Sequence, residues 1–273
     1  MLPLDTVISW YRAYADDLRA ARDEQRELLA QQAMRPRLDD VEAEISYLTV
    51  RALRPRTVLE LGAARGWSTT WLLRALRDNA TAGGDGGVLH SYDLTDAAAR
   101  HVPAALAGDR WRFTPGDARR RPLPADPGFV LLDAAHTARF ARWYTTAILE
   151  RLPPGAAVAV HDVYHHRRPG PVGEGAVVLG WLRRRGIGHL TASSAADPDT
   201  HDRLLGLKRK LRLAAPVHAA ASRNPMLFFR TPGRGCSAAP VSGYGNLRRC
   251  PDEDRPGADP ERTVPLPAAH RQW

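Results

Sequence analysis

The stretch ELGAARGWST, residues 60–69, decides the fold. It lies between a short apolar run at 57–61 and a helical pattern at 68–79, so we interpret it as a strand-to-helix loop. Gly62 and Gly66 allow a sharp turn and a close approach to a ligand, and free N–H groups are expected where the helix begins, near Ser68. No Lys follows Gly66, which excludes a phosphate-binding P-loop, and the spacing is not that of a G-x-G-x-x-G loop.

Short apolar runs and helical patterns alternate along the rest of the chain. The alternation predicts a mostly parallel sheet with helices on both faces, and ligands of such sheets bind where the strands end. The further strands are predicted at 87–93, 111–115, 128–133, 156–162, 187–193 and 226–230, and the further helices at 96–107, 137–151, 174–185 and near 200–212.

Three regions follow from this pattern. Residues 1–55 are predicted to be an N-terminal helical extension, with one helix from Leu4 to about Gln32 and another over 39–53. These helices carry no obvious chemistry and are expected to cover the core, to form a lid or to contact a second copy in a homodimer. Residues 56–230 form the α/β domain, and the Pro/Gly-rich residues 231–273 are predicted to be a disordered tail.

Composition excludes several classes of protein. The chain has 273 residues, enough to bury a large core, and no apolar run of the length that a membrane span requires. Only two cysteines occur, both in the predicted tail, which argues against a disulfide framework or a structural zinc site. The N-terminus has no pattern typical of a secretory signal, so we expect a cytoplasmic protein without membrane contact.

Carboxylates follow the predicted second and third strands. Asp93 ends the second strand, where a carboxylate can accept hydrogen bonds from the two hydroxyls of a ribose. Asp117 and Ala118 follow the third strand, where a side chain and a backbone amide can meet an adenine edge. A carboxylate at a strand end can also simply cap a helix, but together with the 60–69 loop the two carboxylates predict a nucleoside site.

The ordered set ELGAARGWST, SYD, GDA, LLDAAH and AVAVHD resembles class I S-adenosylmethionine (SAM) dependent methyltransferases. It is most similar to the small-molecule O-methyltransferases of the sugar and macrolide type, which carry D-x-x-H and H-D motifs. The resemblance covers about residues 41–230 and implies a Rossmann-like fold with a seven-stranded sheet whose last strand is antiparallel. It also implies SAM as the methyl donor, held by Glu60, Gly62, Ala63, Gly66, Ser68, Asp93, Asp117 and Ala118.

Two His and Asp motifs follow the fourth and fifth strands. An imidazole titrates in the range needed to deprotonate a hydroxyl, and the resemblance implies that His136 is this base, with Asp133 and His161 as further catalytic residues. Asp133, His161 and Asp162 are the candidate ligands of Mg²⁺ or another divalent cation, although histidine suits zinc, iron or nickel better than magnesium. Alternatively, His136 is a solvated residue at the start of a helix. His165, beside His166, is expected on a mobile acceptor-side loop.

We therefore expect a SAM-dependent O-methyltransferase that acts on a small molecule of the natural-product or sugar type, as in secondary metabolism. Most of the net charge of +9 lies in residues 164–230, which contain 12 basic and 4 acidic residues. This charge suits an anionic or carrier-bound acceptor. It leaves open an RNA-modifying methyltransferase, although no RNA-binding module is evident and we do not expect nucleic acid as a partner. A third reading is a binding or partner protein that has the same fold and transfers no methyl group.

Overall fold

A computed structural model describes residues 1–31, 34–218 and 223–232, all within one compact unit, Met1–Gly235. A seven-stranded sheet with the order β3-β2-β1-β4-β5-β7-β6 forms its centre. The first five strands pair in parallel, whereas β7 lies antiparallel to both β5 and β6. The Rossmann-like fold with an antiparallel last strand, predicted from the motifs, is therefore confirmed.

The strands are β1 Thr57–Leu61, β2 Val88–Asp93, β3 Trp111–Pro115, β4 Phe129–Leu132, β5 Ala157–Val160, β6 Leu190–Thr191 and β7 Leu227–Arg230. The helices are α1 Leu4–Ala13, α2 Ala15–Gln31, α3 Asp40–Leu53, α4 Trp67–Thr81, α5 Ala97–His101, α6 Ala104–Ala107, α7 Ala138–Ala147, α8 Glu174–Arg184 and α9 Pro198–Lys210. Short 3-10 turns occupy Ala118–Arg120 and Leu149–Arg151. Among the described residues, no helix combines the length and the apolarity needed to cross a membrane.

Three predicted helices are shorter than their apolar patterns suggest. The first predicted helix is divided at Tyr14, which ends α1, and α2 begins at the next residue. The predicted helix over 96–107 is divided by Pro103, because proline has no N–H to donate and disfavours a helical conformation in the residue before it. The predicted helix over 137–151 ends at Ala147 and continues only as a 3-10 turn.

The core lies on both faces of the sheet, and β4 shows why. All four of its residues are buried, with Phe129 and Leu131 in the apolar cluster on one face and Val130 and Leu132 in the cluster on the other. A strand covered on both sides needs an apolar residue at every position, because successive side chains point to opposite faces. This is why the strand shows as a continuous apolar run in the sequence.

The N-terminal helices belong to the core. Helix α3 packs along α4, where Tyr47 and Trp67 each contact Trp71 edge-on with ring centroids 6.3 and 6.2 Å apart. All three rings are at most 2% exposed. The predicted dimer contact through these helices stays a prediction, and the predicted disordered tail lies outside the described residues apart from Thr231 and Pro232.

A buried charge network joins helices that are distant in sequence. Glu44 of α3 accepts a hydrogen bond from the Tyr11 hydroxyl at 2.8 Å and pairs with Lys208 Nζ of α9 at 2.8 Å. Arg22 of α2 contacts the same carboxylate. Glu44 is fully buried, so the stability of this packing depends on keeping its charge compensated.

Candidate active site

The loop between β1 and α4 contains two glycines that no other residue can replace without strain. Gly62 has φ +92°, and a Cβ at this position would lie 1.8 Å from the backbone oxygen of Asp133. Gly66 has φ +90°, and its Cβ would lie 2.4 Å from a methyl group of Val102. The ends of β1 and β4 therefore approach each other so closely that the predicted cofactor loop touches the Asp133 backbone.

Glu60 lies beneath this loop with its carboxylate fully buried. It accepts hydrogen bonds from three hydroxyls, those of Ser68 at 2.5 Å, Thr69 at 2.8 Å and Ser91 at 2.6 Å. Burial raises the pKa of Glu60 to about 7, because the desolvation of the charge outweighs the three hydrogen bonds. The predicted pair Glu60 and Ser68 is thus brought together, and it fixes the start of α4 against the sheet.

Asp93 joins the loops that follow β1 and β2. Its Oδ2 accepts a hydrogen bond from the Ala64 N–H at 2.8 Å, and its Oδ1 accepts one from the Thr95 N–H at 2.9 Å. The carboxylate lies at the edge of the sheet where the strands end. This is the position at which the motifs predict a residue that binds ribose. Its backbone contacts also hold the 60–69 loop in place.

Asp117 caps the turn after β3 and pairs with Arg119, whose hydrogen bonds lower the pKa of the Asp117 carboxyl to about 2. The neighbouring Ala118 is buried. Ala118 borders a cavity of about 490 Å³, whose walls also include Leu59, Leu123, Trp143 and Ile148. Apart from Ala118, the lining of this cavity contains none of the predicted site residues.

Asp133, His161 and Asp162 converge at the ends of β4 and β5. His161 Nδ1 lies 3.0 Å from Asp133 Oδ1 and 3.2 Å from Asp162 Oδ1. His161 is buried, and within the described part of the chain its Nδ1 has no hydrogen bond, since a ring N–H would not point at either oxygen. Among the described residues, the side chains whose ligand atoms all lie within 4.8 Å of one another are Asp133, His136 and His161, so the predicted metal set differs from this group in one member, Asp162 in place of His136.

The other nitrogen of His161 faces a residue that the motifs did not identify. His161 Nε2 lies 3.4 Å from Glu42 Oε2 of α3, and Glu42 is fully buried. Glu42 also accepts hydrogen bonds from the backbone N–H groups of Asp39 at 3.0 Å and Met226 at 2.7 Å. Burial lowers the pKa of His161, but the charges of Glu42 and Asp133 outweigh it and hold this pKa well above its ordinary value.

His136 has a second buried glutamate behind it. Its Nδ1 lies 2.9 Å from Glu174 Oε2, while the other oxygen of Glu174 accepts a hydrogen bond from the Tyr144 hydroxyl at 2.8 Å. His136 Nε2 faces the site, 3.3 Å from Asp162 Oδ2 and 3.6 Å from Asp133 Oδ1. The hydrogen bond to Glu174 raises the pKa of His136 despite its partial burial.

The backbone around Asp162 is itself unusual. Asp162 has φ +56°, in the left-handed region that residues other than glycine, asparagine and aspartate rarely adopt. The next two N–H groups, of Val163 and Tyr164, both donate to the backbone oxygen of Pro225. His165 Nε2 lies 3.0 Å from Asp162 Oδ1, so this histidine of the predicted acceptor-side loop also reaches the cluster.

One comparison with known proteins matches part of the chain. Residues 59–163 match a family model described as a methyltransferase domain. The match spans 105 of the 273 residues, so it shows a likeness over that part of the chain. The matched residues run from β1 to the turn after β5 and include every predicted site residue. A comparison with curated protein sequences finds no match.

Several solved structures have a distant likeness to this chain. The O-methyltransferase TomG from Streptomyces achromogenes, solved with SAM, is 17% identical, with 77% of this chain and 89% of that chain covered and a TM-score of 0.46. An O-methyltransferase from Bacillus cereus, solved with S-adenosylhomocysteine, is 17% identical, with 84% and 100% covered and a TM-score of 0.44. A methyltransferase from Geobacter sulfurreducens is 16% identical, with 79% and 88% covered and a TM-score of 0.46. At this distance, no residue role or substrate transfers to this chain.

Proposed function

We propose that this protein is a methyltransferase that transfers the methyl group of SAM to a hydroxyl of a small molecule, with His136 as the general base. The observation that carries this proposal is the contact between the Gly62 loop and the Asp133 backbone. A methyl donor bound on that loop lies next to the cluster of Asp133, His136 and Asp162. Acceptor and donor then meet at one edge of the sheet, which is the main requirement of methyl transfer.

In this proposal, a residue of the chain accepts the proton that the acceptor hydroxyl loses. His136 Nε2 accepts the hydroxyl proton of the acceptor while Nδ1 stays hydrogen-bonded to Glu174, which fixes the ring and stabilises the imidazolium that forms. SAM supplies an electrophilic methyl group on its sulfonium. The acceptor oxygen forms the new O–CH₃ bond, and the electron pair of the broken S–CH₃ bond remains on sulfur, giving S-adenosylhomocysteine. The proton leaves His136 to solvent after product release.

The residues also fit a divalent cation. His161 Nδ1 lies 3.0 Å from Asp133 Oδ1, and both side chains have ligand atoms within 4.8 Å of each other. A neutral His161 would offer its Nδ1 lone pair, and Asp133 its carboxylate, to such an ion, and a bound cation lowers the pKa of an acceptor hydroxyl.

The basic segment, residues 164–230, gives less support to RNA as the acceptor than its net charge suggests. Lys208 is buried against Glu44, Arg203 pairs with Asp5, and Arg185 pairs with Glu150. Charges that are already paired within the protein contribute little to binding phosphates. A small-molecule acceptor of the natural-product or sugar type is thus the better candidate.

The test is methyl transfer by a His136→Ala variant. We expect SAM to bind the unchanged chain and the variant equally in calorimetric titration, and we expect transfer to a panel of sugar and polyketide hydroxyls to fall about 10²- to 10⁴-fold in the variant. His101→Gln, in α5 and outside the cluster, is the matched control and should keep full activity. If SAM does not bind the unchanged chain, the proposed function is wrong. If SAM binds and the His136→Ala variant keeps full turnover, His136 is not the base.

A further inference from the structure

The cavity of about 490 Å³ bordered by Ala118 takes no part in the proposed methyl transfer. It lies between helix α7 and the loop 121–128, which leads from the turn after β3 to β4. Its lining includes Pro127, just before β4, and Leu152, shortly before β5. Both strands run in the same direction and end at the aspartates of the site, so these two residues lie at the opposite edge of the sheet. The cavity therefore extends along one face of the sheet, away from the histidines.

The loop that covers this cavity is held away from α7. Three of the eight residues in the loop 121–128 are prolines, which have no N–H to donate and a fixed φ, so the loop does not form a helix that could pack on α7. The hydroxyl of Tyr92 donates to the backbone oxygen of Pro122 at 2.7 Å, and the N–H of Gly128 donates to the backbone oxygen of Thr57 at 2.9 Å. Anchored at both ends and stiffened by proline, the loop leaves the space beneath it open.

Apolar side chains that the core covers only in part form the walls of the cavity. Leu123, Trp143, Ala147 and Leu152 line it, and each of them is partly buried against the apolar cluster on this face of the sheet. The volume lies within the range of about 300 to 1,000 Å³ that is typical of small-molecule sites. Apolar walls favour an organic ligand, and the indole ring of Trp143 favours one with a flat aromatic body.

The same cavity has an excess of positive charge. Arg119, Arg121 and Arg151 line it together with one carboxylate, that of Asp126. Arg119 already pairs with Asp117 at 2.7 Å. Within the described part of the chain, the exposed Arg121 and Arg151 form no ion pair. Three arginines against Asp117 and Asp126 leave one positive charge uncompensated, and a guanidinium binds a carboxylate through two parallel hydrogen bonds.

We propose that this cavity binds a small aromatic carboxylate, with its ring against Trp143 and its charge on Arg121 and Arg151. The ligand class follows from an apolar wall of this size beside a single uncompensated positive charge. The proposal does not rest on the proposed function, because none of the histidines or aspartates assigned to methyl transfer lines the cavity.

The experiment titrates the full-length chain with 2-naphthoate and, in a separate calorimetric run, with 2-naphthamide, which has nearly the same shape but no charge. We expect one 2-naphthoate per chain, bound at least about 10-fold more tightly than the amide, because only the carboxylate makes charge-assisted hydrogen bonds to arginine. Replacing Arg121 and Arg151 together by Gln should remove this difference. Ala147→Phe places a ring inside the cavity and should weaken both ligands at least about 10-fold. Arg142→Gln, at an exposed arginine of α7 outside the lining, is the matched control and should bind both ligands normally.

Three results overturn the proposal. The first is 2-naphthoate binding no more tightly than 2-naphthamide to the unchanged chain, a measurement that needs no variant to fold. The second is unchanged 2-naphthoate binding in an Ala147→Phe variant that thermal melting shows to be folded. The third is displacement of 2-naphthoate by saturating S-adenosylhomocysteine, which would place the carboxylate in the predicted cofactor site. If SAM does not bind while 2-naphthoate binding still depends on Ala147 and the two arginines, this second site stands and the proposed function does not.

Discussion

Replacing Glu60 by Gln should flatten the dependence of stability on pH. Burial raises the pKa of Glu60 from 4.5 to about 7 in the folded protein. The folded protein therefore binds more protons than the unfolded chain between these pH values, and the resulting stabilisation is lost as the pH rises through that window. Between about pH 5 and about pH 8 the loss is about 2.5 kcal/mol, because one pKa unit corresponds to about 1.4 kcal/mol.

The Glu60→Gln side chain does not titrate and keeps one acceptor oxygen, which at the Oε2 position accepts from Thr69 and Ser91, while its NH₂ group donates to the Ser68 hydroxyl oxygen. The free energy of unfolding is measured by urea titration at about pH 5 and about pH 8. Its decrease between these two pH values should be about 2.5 kcal/mol smaller in the variant than in the unchanged chain. Trp111 is a suitable fluorescent reporter, since its ring N–H donates to Ser91 at 3.0 Å. If the free energy of unfolding changes with pH to the same extent in both proteins, the reasoning is refuted. Glu150→Gln is the control, and its pH dependence should match that of the unchanged chain.

Two further substitutions test the packing around the site. Gly62→Ala should abolish SAM binding and lower the free energy of unfolding by more than about 1 kcal/mol, because its Cβ would meet the Asp133 backbone. The control is Gly83→Ala. Gly83 has a similar φ of +79° but no neighbour within 4 Å, so this variant measures backbone strain alone. Glu44→Gln should cost about 3 to 5 kcal/mol in urea unfolding, because Lys208 is left buried beside a neutral side chain. A loss below about 1 kcal/mol would show that the pair contributes no more than an exposed one.

The sheet and the aspartates of the site were predictable because their signals are local. Each central strand is a short apolar run, and the carboxyl ends of parallel strands lie at one edge, so Asp93, Asp133 and Asp162 had to lie along the same edge of the sheet. The exact ends of the helices were less predictable. Tyr14 carries no proline or glycine signal, although it ends α1, and an amphipathic pattern continues through the break.

The glutamates behind the histidines could not be found from local patterns. Glu42 reads as the third residue of a helix with a capping box, which Asp39 and Glu42 do form. Glu174 reads as an ordinary acidic residue in the first turn of a helix. Their contacts with His161 and His136 join residues far apart in sequence, and nothing in one chain marks which acidic residues of a helix turn towards a site.

The charge of residues 164–230 has a different meaning once the fold is known. Part of it is internal, since Lys208 of this basic segment is 4% exposed and neutralises Glu44 of the acidic N-terminal region. Arg203 pairs with Asp5 of the same region, although this exposed pair contributes little to stability. Arg167 and Arg168 differ, because both are exposed on the loop that begins at Asp162. The expectation of an anionic acceptor therefore depends on these two arginines, which follow Asp162 closely in the sequence, and the net charge of the chain carries no weight in it.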